Sequence, residues 1–369
     1  MNNILITPRK YVQGRGALKE IGSLISIIGK KPILLWDKTV KGIVSQTVID
    51  SLKAAKIEFV DIDFQGDCTR GEVDRIIGII KESGADISIG FGGGKTLDAA
   101  KAAAIETGIR IVTCPTIAAT DSPTSAATVW YDDDGNCTGF DCWSFNPDLV
   151  LVDSGVIVKA PARTLVAGMG DTLSTWVEAR VALKTGGGNL AGGRSTMAAM
   201  AIAKLGYDIL MEHGVQAKLA AEAGALTPSV EKVIEANILH SGLGFESGGL
   251  ASAHMIANCL PSFKQCRHLM HGEEVAFGIA AQLCMDEAAT MEEVYEAVDF
   301  MISVGLPVTF AELNLEGVER ESLKTIGDVC AGEGSLCVSH CFEVTSEAVV
   351  DAMIAADALG RQRKAKGIN

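Results

Sequence analysis

The pattern of apolar and polar positions changes its period once along the chain. From Pro32 onward, short apolar runs alternate with segments whose apolar residues recur at helical spacing. Ile33–Trp36 closes on Asp37 and is followed by a periodic segment from Val44 to Ala55. Ile57–Phe64 leads to Val73–Lys81, and Ile87–Phe91 passes through Gly92-Gly93-Gly94 into Lys95–Glu106. This repeated strand-helix order predicts a parallel sheet covered on both faces, because each parallel connection must cross back over the sheet. Arg110–Thr113 and Leu149–Val152 read as further strands. Between them lie a polar loop, Thr116–Ser125, and the stretch Val129–Phe140. In that stretch, the turn-forming residues Tyr131–Gly139 predict a small antiparallel hairpin.

After Pro161 the texture becomes rich in Ala, Leu, Met and Glu. Helical spacing appears over Thr172–Lys184, Thr196–His213, Val230–Leu243 and Glu273–Asp286, with the Gly-rich stretch Thr185–Gly193 joining two helices. The expected fold is therefore α/β: a doubly wound, Rossmann-like parallel sheet over residues 1–160, then an all-helical domain over 161–369. A chain of 369 residues is long enough for two such units.

Composition narrows the partners. A formal net charge of -14 repels a phosphate backbone, and the short basic run Arg361–Lys366 is what a final helix places at its C-terminus to complement its dipole. No nucleic acid is expected. The ten cysteines include no CxxC pair and read as reduced, small core residues. The chain does not begin with a basic segment followed by an apolar one, and no uncharged apolar run reaches about 18 residues. The expectation is a soluble cytoplasmic protein with no membrane partner.

Two groups of residues carry chemistry. The first is Gly92-Gly93-Gly94-Lys95-Thr96-x-Asp98 at a strand-to-helix junction, where glycines let a pyrophosphate approach the backbone and the free amides of the helix start offer it a positive end. The same glycines also suit a plain tight turn. Asp37 could accept a hydrogen bond from a ribose 2′-hydroxyl and would repel a 2′-phosphate, favouring NAD over NADP. An Asp at a strand end is equally a turn or N-cap residue. The second group is Asp171 in Gly168-Met-Gly-Asp, with His254 and His271. One carboxylate and two imidazoles form an open three-ligand set suited to Zn²⁺, and to Fe²⁺ or Mn²⁺ as well. Taken singly, Asp171 also fits the N-cap of a helix over 172–184, and His254 also fits a packed histidine.

The motifs GGGKT-x-D, PTIAATDSPTSA, GMGD-x-L-x-T-W-x-E-A-R, and GLASAH followed by HLMHGEEVAFG resemble, in that order, the glycerol dehydrogenase family. That family belongs with the iron-containing alcohol dehydrogenases and is similar in fold to dehydroquinate synthase. The resemblance implies metal ligation by Asp171, His254 and His271. It also implies an NAD site that includes Asp37, Gly92, Gly93, Gly94, Lys95, Asp98, Thr116, Thr120, Ser125 and Tyr131. Asp121 would lie near the substrate and Phe245 would shape its pocket. The implied reaction oxidises a vicinal polyol, glycerol by default, the metal lowering the hydroxyl pKa and hydride passing to NAD. A homo-oligomer is implied as well.

The chain departs from the pattern at Ala257 and Cys259, where the family often has His and Gly, and at Glu274, where it has Lys. These changes bear on the substrate more than on the reaction class. Three rivals remain at this point: a dehydroquinate synthase-like lyase, a glycerol-phosphate dehydrogenase, and a family member that has lost catalysis. The two phosphorylated substrates call for convergent cations, of which the His254–His271 region offers Lys264 and Arg267.

Overall fold

The computed structural model describes residues 1–367. Its strands are β1 (Tyr11–Gly14), β2 (Pro32–Trp36), β3 (Val60–Asp63), β4 (Ile87–Gly92), β5 (Arg110–Pro115), β6 (Ala127–Tyr131), β7 (Cys137–Cys142) and β8 (Leu149–Asp153). Six of them form one parallel sheet in the order β1-β8-β5-β4-β2-β3, while β6 and β7 form the antiparallel hairpin. From β1 at one edge the chain crosses to β2 beside the other edge, moves out to β3, then returns across β2 to β4. The winding direction therefore reverses between β2 and β4, the kind of crevice where open α/β sheets bind ligands.

The helices of this half are α1 (Ile21–Ile28), α2 (Lys38–Ala54), α3 (Arg70–Ser83), α4 (Gly94–Thr107) and the single turn α5 (Ser154–Ile157). Central strands β2 and β4 are buried throughout, and separate apolar clusters occupy the two faces of the sheet. The edge strand β1 escapes the sequence pattern because its four residues are all half-buried and show no period. Helix α2 starts six residues before the periodic segment. Asp37 fixes that start, and the first turn is too exposed to show a pattern.

The chain then becomes helical: α6 (Ala162–Thr185), α7 (Met197–Glu222), α8 (Pro228–Glu235), α9 (Ser241–Gly248), α10 (Ser252–Cys259), α11 (His271–Met285), α12 (Met291–Val304), α13 (Arg320–Ala331) and α14 (Ser346–Ala365). A π-helical turn, Ala236–His240, joins α8 to α9. One large apolar cluster runs through these helices. Helix α6 begins ten residues earlier than its periodicity indicates, so Asp171 lies inside the helix and is not its N-cap. Gly168 and Gly170, which obscure the helical pattern, are where other backbones press against α6. A Cβ on Gly168 would collide with the carbonyl of Ala118, and one on Gly170 with that of Gly272.

In the basic run near the C-terminus, Arg361 pairs with Asp357, Arg363 with Asp299 and Lys364 with Glu312. Among the described residues, no helix is long and apolar enough to cross a membrane.

Candidate metal and dinucleotide site

Three helices bring Asp171, His254 and His271 together. Asp171 Oδ1 lies 3.5 Å from His254 Nε2 and 3.6 Å from His271 Nε2, and the three donor atoms lie within 4.8 Å of one another. A tetrahedral ion with ligands at about 2.0–2.2 Å has donor edges of about 3.3–3.6 Å, so both Asp-His separations fit one ion. Asp171 Oδ1 and His254 Nε2 are also buried and lack any hydrogen-bond partner. Orphaned buried polar atoms are costly unless something satisfies them, and a cation between them would do so. The donor set thus fits a metal. His271, with a side chain 35% exposed, forms the open side.

Close backbone packing beside each ligand fixes the geometry. Gly170, next to Asp171, touches the carbonyl of Gly272, next to His271. A Cβ on Gly272 would collide with the carbonyl of Ala167, and one on Gly278 with that of Ala253, next to His254. The remaining polar atoms of His254 are held by Glu178, seven residues after Asp171 on α6. Its Oε2 takes the Nδ1 hydrogen bond, and its Oε1 accepts from the amides of His254 (3.0 Å) and Ala251 (2.9 Å). With Nδ1 engaged by a carboxylate, Nε2 is the nitrogen turned toward the other ligands. Gln282 accepts from the amide of Ala253 (2.8 Å), so α10 is capped by side chains of α6 and α11.

The electrostatics follow from this packing. Burial works against charge at all three ligands, but attraction between opposite charges prevails. Glu178 and Asp171 hold the His254 proton well above the usual range, Glu274 and then Asp171 raise the His271 pKa, and the two imidazoles lower that of Asp171. Asp121 donates its amide to Asp171 Oδ2 at 3.1 Å. Burial, reinforced by the Asp171 charge, pushes the Asp121 carboxyl up to about 7. The Phe245 ring lies 5.5 Å from the His254 ring, against the same site.

The dinucleotide candidates gather at the switch point. Trp36 pairs with Phe91 across β2 and β4, which sets Asp37 beside the glycine turn. A Cβ on Gly92 would come within 3.0 Å of Asp37 Cβ and 2.8 Å of Thr96 Oγ1, so the close approach requires glycine. Asp37 also caps α2, accepting from the amides of Thr39 and Val40. Thr116 donates its amide to the Gly92 carbonyl at 3.1 Å, and its buried hydroxyl lacks a partner. Thr120 Oγ1 stands 3.4 Å from where a Gly94 Cβ would be. Lys95 pairs with Asp67 and lies 4.2 Å over the Tyr131 ring. Ser125, at the end of the loop, is buried, and so is Asp98 against the loop's inner side. Asp98 contacts Ser122, the Val129 amide and Lys101, so its carboxylate faces protein on every bond it makes. The loop Thr116–Ser125 thus runs from the glycine turn to Asp171 and connects the two sites.

Glu178 and Lys101 are the residues that sequence reasoning passed over. Each carried a signal. Glu178 lies seven positions after Asp171, on the same helix face, and Lys101 is three after Asp98 in an otherwise alanine-rich segment of α4.

A parallel sheet with a glycine turn at its switch point, joined by a loop to a buried carboxylate-imidazole cluster on helices, is the arrangement of an enzyme that uses a dinucleotide and a metal together. The sequence model of iron-containing alcohol dehydrogenases matches residues 8–154. A glycerol dehydrogenase of Citrobacter freundii is 40% identical, over 98% of this chain and 99% of its own. A glycolaldehyde reductase of Halobacterium salinarum is 39% identical, over 98% and 99%. The crystal structure of glycerol dehydrogenase from Schizosaccharomyces pombe superposes with a TM-score of 0.95 at 33% identity, covering 99% of this chain and 93% of that one. This chain belongs to the glycerol dehydrogenase family of the iron-containing alcohol dehydrogenases.

Proposed function

We propose that this protein oxidises a small vicinal diol, glycerol by default, and passes the hydride to NAD, using an ion held by Asp171, His254 and His271. The observation that carries this reading is the pair of buried, unpartnered donor atoms on Asp171 and His254, with His271 beside them. Two nitrogens and one carboxylate oxygen suit Zn²⁺, and accommodate Fe²⁺ or Mn²⁺. The ion supplies Lewis acidity that lowers the pKa of the alcohol.

The protein's own residues do the rest. Glu178 orients His254, and Phe245 walls the site. Asp121, tied to Asp171 through its amide, is placed to accept a hydrogen bond from a substrate hydroxyl. The turn Gly92–Gly94 with Lys95 receives the pyrophosphate, Asp37 the adenosine ribose, and Thr116, Thr120, Ser125 and Tyr131 the remainder of the dinucleotide. Asp98 belongs to this site through the loop it holds. In this division, residues 1–160 bind the cofactor, the helical residues from 161 onward carry the metal, and the donor carbon meets the acceptor ring between them.

The test is NADH formation by metal-reconstituted protein on glycerol, 1,2-propanediol and related diols, with Asp171→Ala as control. Activity on diols that vanishes in the variant supports the reading. Confirmed NAD and metal binding without turnover of any diol overturns it. The halobacterial relative motivates a second reading at the same site, reduction of glycolaldehyde by NADH, and Ala257 and Cys259 alter the helix that carries His254. Faster NADH consumption with glycolaldehyde than NADH formation with any diol would favour it.

The ten free cysteines support a reducing cytoplasmic setting. Met197, Leu205, Val215 and Leu219 expose apolar side chains along α7 and support a homo-oligomer, which light scattering would measure.

A further inference from the structure

Lys101 is among the largest fully enclosed side chains of the protein, at 1% exposure. Its ammonium group donates to the carbonyls of Ser122 (2.8 Å), Ser125 (3.2 Å) and Ala127, and lies 2.9 Å from Asp98 Oδ1. Asp98 in turn accepts from the Ser122 hydroxyl (2.6 Å) on Oδ1 and from the Val129 amide (2.9 Å) on Oδ2. Two side chains one turn apart on α4 therefore grip the connecting loop and the start of the hairpin at five points. Lys101 has no donor to spare for a ligand, and Asp98, 4% exposed, makes all three of its carboxylate contacts to protein. A lysine has three N–H donors, and here four oxygens share them.

A buried ion pair is a poor device for stability alone, since well-packed apolar residues of similar volume often do as well or better. Its better-attested use is to fix one conformation among several. The conformation fixed here is that of the loop Thr116–Ala127. The N-terminal end of this loop meets the glycine turn through Thr116, and its middle delivers the Asp121 amide to Asp171. We propose that Asp98 and Lys101 are positioning residues for cofactor and substrate, holding this loop so that Thr116, Thr120 and Ser125 face the dinucleotide while Asp121 reaches the metal centre. The proposal rests on the NAD reading above. It assigns Asp98 to the cofactor site indirectly, through the loop and without contact to the dinucleotide.

The test uses the full-length, metal-loaded protein and three measurements: hydrogen exchange without cofactor, NADH affinity by fluorescence titration, and separate kcat and KM values. Lys101→Met keeps the stem and removes the charge. It is expected to speed exchange chiefly over residues 116–131, to raise the NADH dissociation constant by about tenfold, as loss of charged hydrogen bonds implies, and to lower kcat at saturating cofactor. The double variant Asp98→Asn/Lys101→Met leaves no buried charge at this spot, so it recovers melting temperature and stays measurable even where the single variant fails to fold. Weak NADH binding in a double variant of restored stability supports positioning. Wild-type NADH affinity in the double variant, or exchange unchanged over 116–131, overturns it. A wild-type protein that binds no NADH brings down the cofactor reading itself, an outcome distinct from the other two.

Discussion

The metal corner and the dinucleotide corner are built by different physics. Around Asp171, His254 and His271, backbone packs directly on backbone at Gly170, Gly272 and Gly278, and one carboxylate, Glu178, fixes the histidine ring and its helix start together. Around Gly92–Gly94, the parts come from a strand end, a loop and a hairpin, held to one another by polar side chains such as Asp98, Lys101 and Lys95. The first arrangement has two states, packed or broken. The second has many intermediate ones, since each polar bond contributes about 1 kcal/mol and can be lost singly. Substitutions at the backbone contacts of the metal corner should therefore be all-or-none, and those in the dinucleotide corner graded.

Gly272→Ala makes the sharpest demand on this contrast. The added methyl group has no space against the Ala167 carbonyl, and a backbone cannot rotate aside as a side chain can. Overpacking typically costs about 1–3 kcal/mol, and here the upper end or beyond is expected, with α6 and α11 forced apart. Chemical denaturation should show the loss, and metal analysis should show sub-stoichiometric ion in whatever folds. A variant of wild-type stability and metal content would show that this contact is soft, and the contrast would fail.

Glu178→Gln is the next largest. The amide keeps the size of the side chain but loses the charge that holds Nδ1–H, and second-shell changes of this kind typically weaken metal affinity by about 10–100-fold. Competition with a chelator measures it. Unchanged affinity would leave backbone packing as the sole determinant of ligand geometry.

Much of this division could be read from residue order. The glycine turn, the hairpin and the change to helix after Pro161 all appear where the pattern places them, because each is a local matter of turn chemistry or period. What was not legible depends on contacts distant in sequence. The π-helical turn at Ala236–His240 is buried on almost every side, so no change of period in apolar positions marks it. Within it, Asn237 donates to the carbonyls of Ala118 and Leu165 and accepts from Thr172, three contacts that no spacing rule announces. Asp37 presented two readings from sequence, capping residue or ribose partner. It does cap α2, and only the strand order reveals that it also adjoins Gly92.

Glu246 tests the graded corner through pH. It accepts from the Ala126 amide (2.8 Å) and from Asn146, joining α9 to the end of the loop, and burial pushes its carboxyl up to about 8. A group that holds its proton more tightly in the folded chain contributes stability at low pH. That contribution falls as pH rises from the ordinary value of 4.5 through about 8, then levels off. Glutamine at 246 faces one of the two donors with its own amide and so carries a constant penalty, but it cannot titrate. The difference in melting temperature between wild type and Glu246→Gln should therefore move in the variant's favour as pH rises from about 5 to about 8.5. A difference independent of pH would mean that the two donors hold Glu246 ionised throughout.

The smallest effect is expected at the outermost contact of the dinucleotide corner. Asp67 and Lys95 are both partly exposed, and such pairs are worth about 0–1 kcal/mol. Asp67→Asn should cost little stability while freeing the Lys95 ammonium, which stays over the Tyr131 ring, for the pyrophosphate. NADH should then bind about two- to fivefold more tightly at low ionic strength, and the gain should shrink as salt screens the charges. Weaker NADH binding in Asp67→Asn would mean the opposite: that Asp67 holds Lys95 in its binding position, so that even this exposed pair is part of the framework and the corner is more rigid than its polar contacts imply.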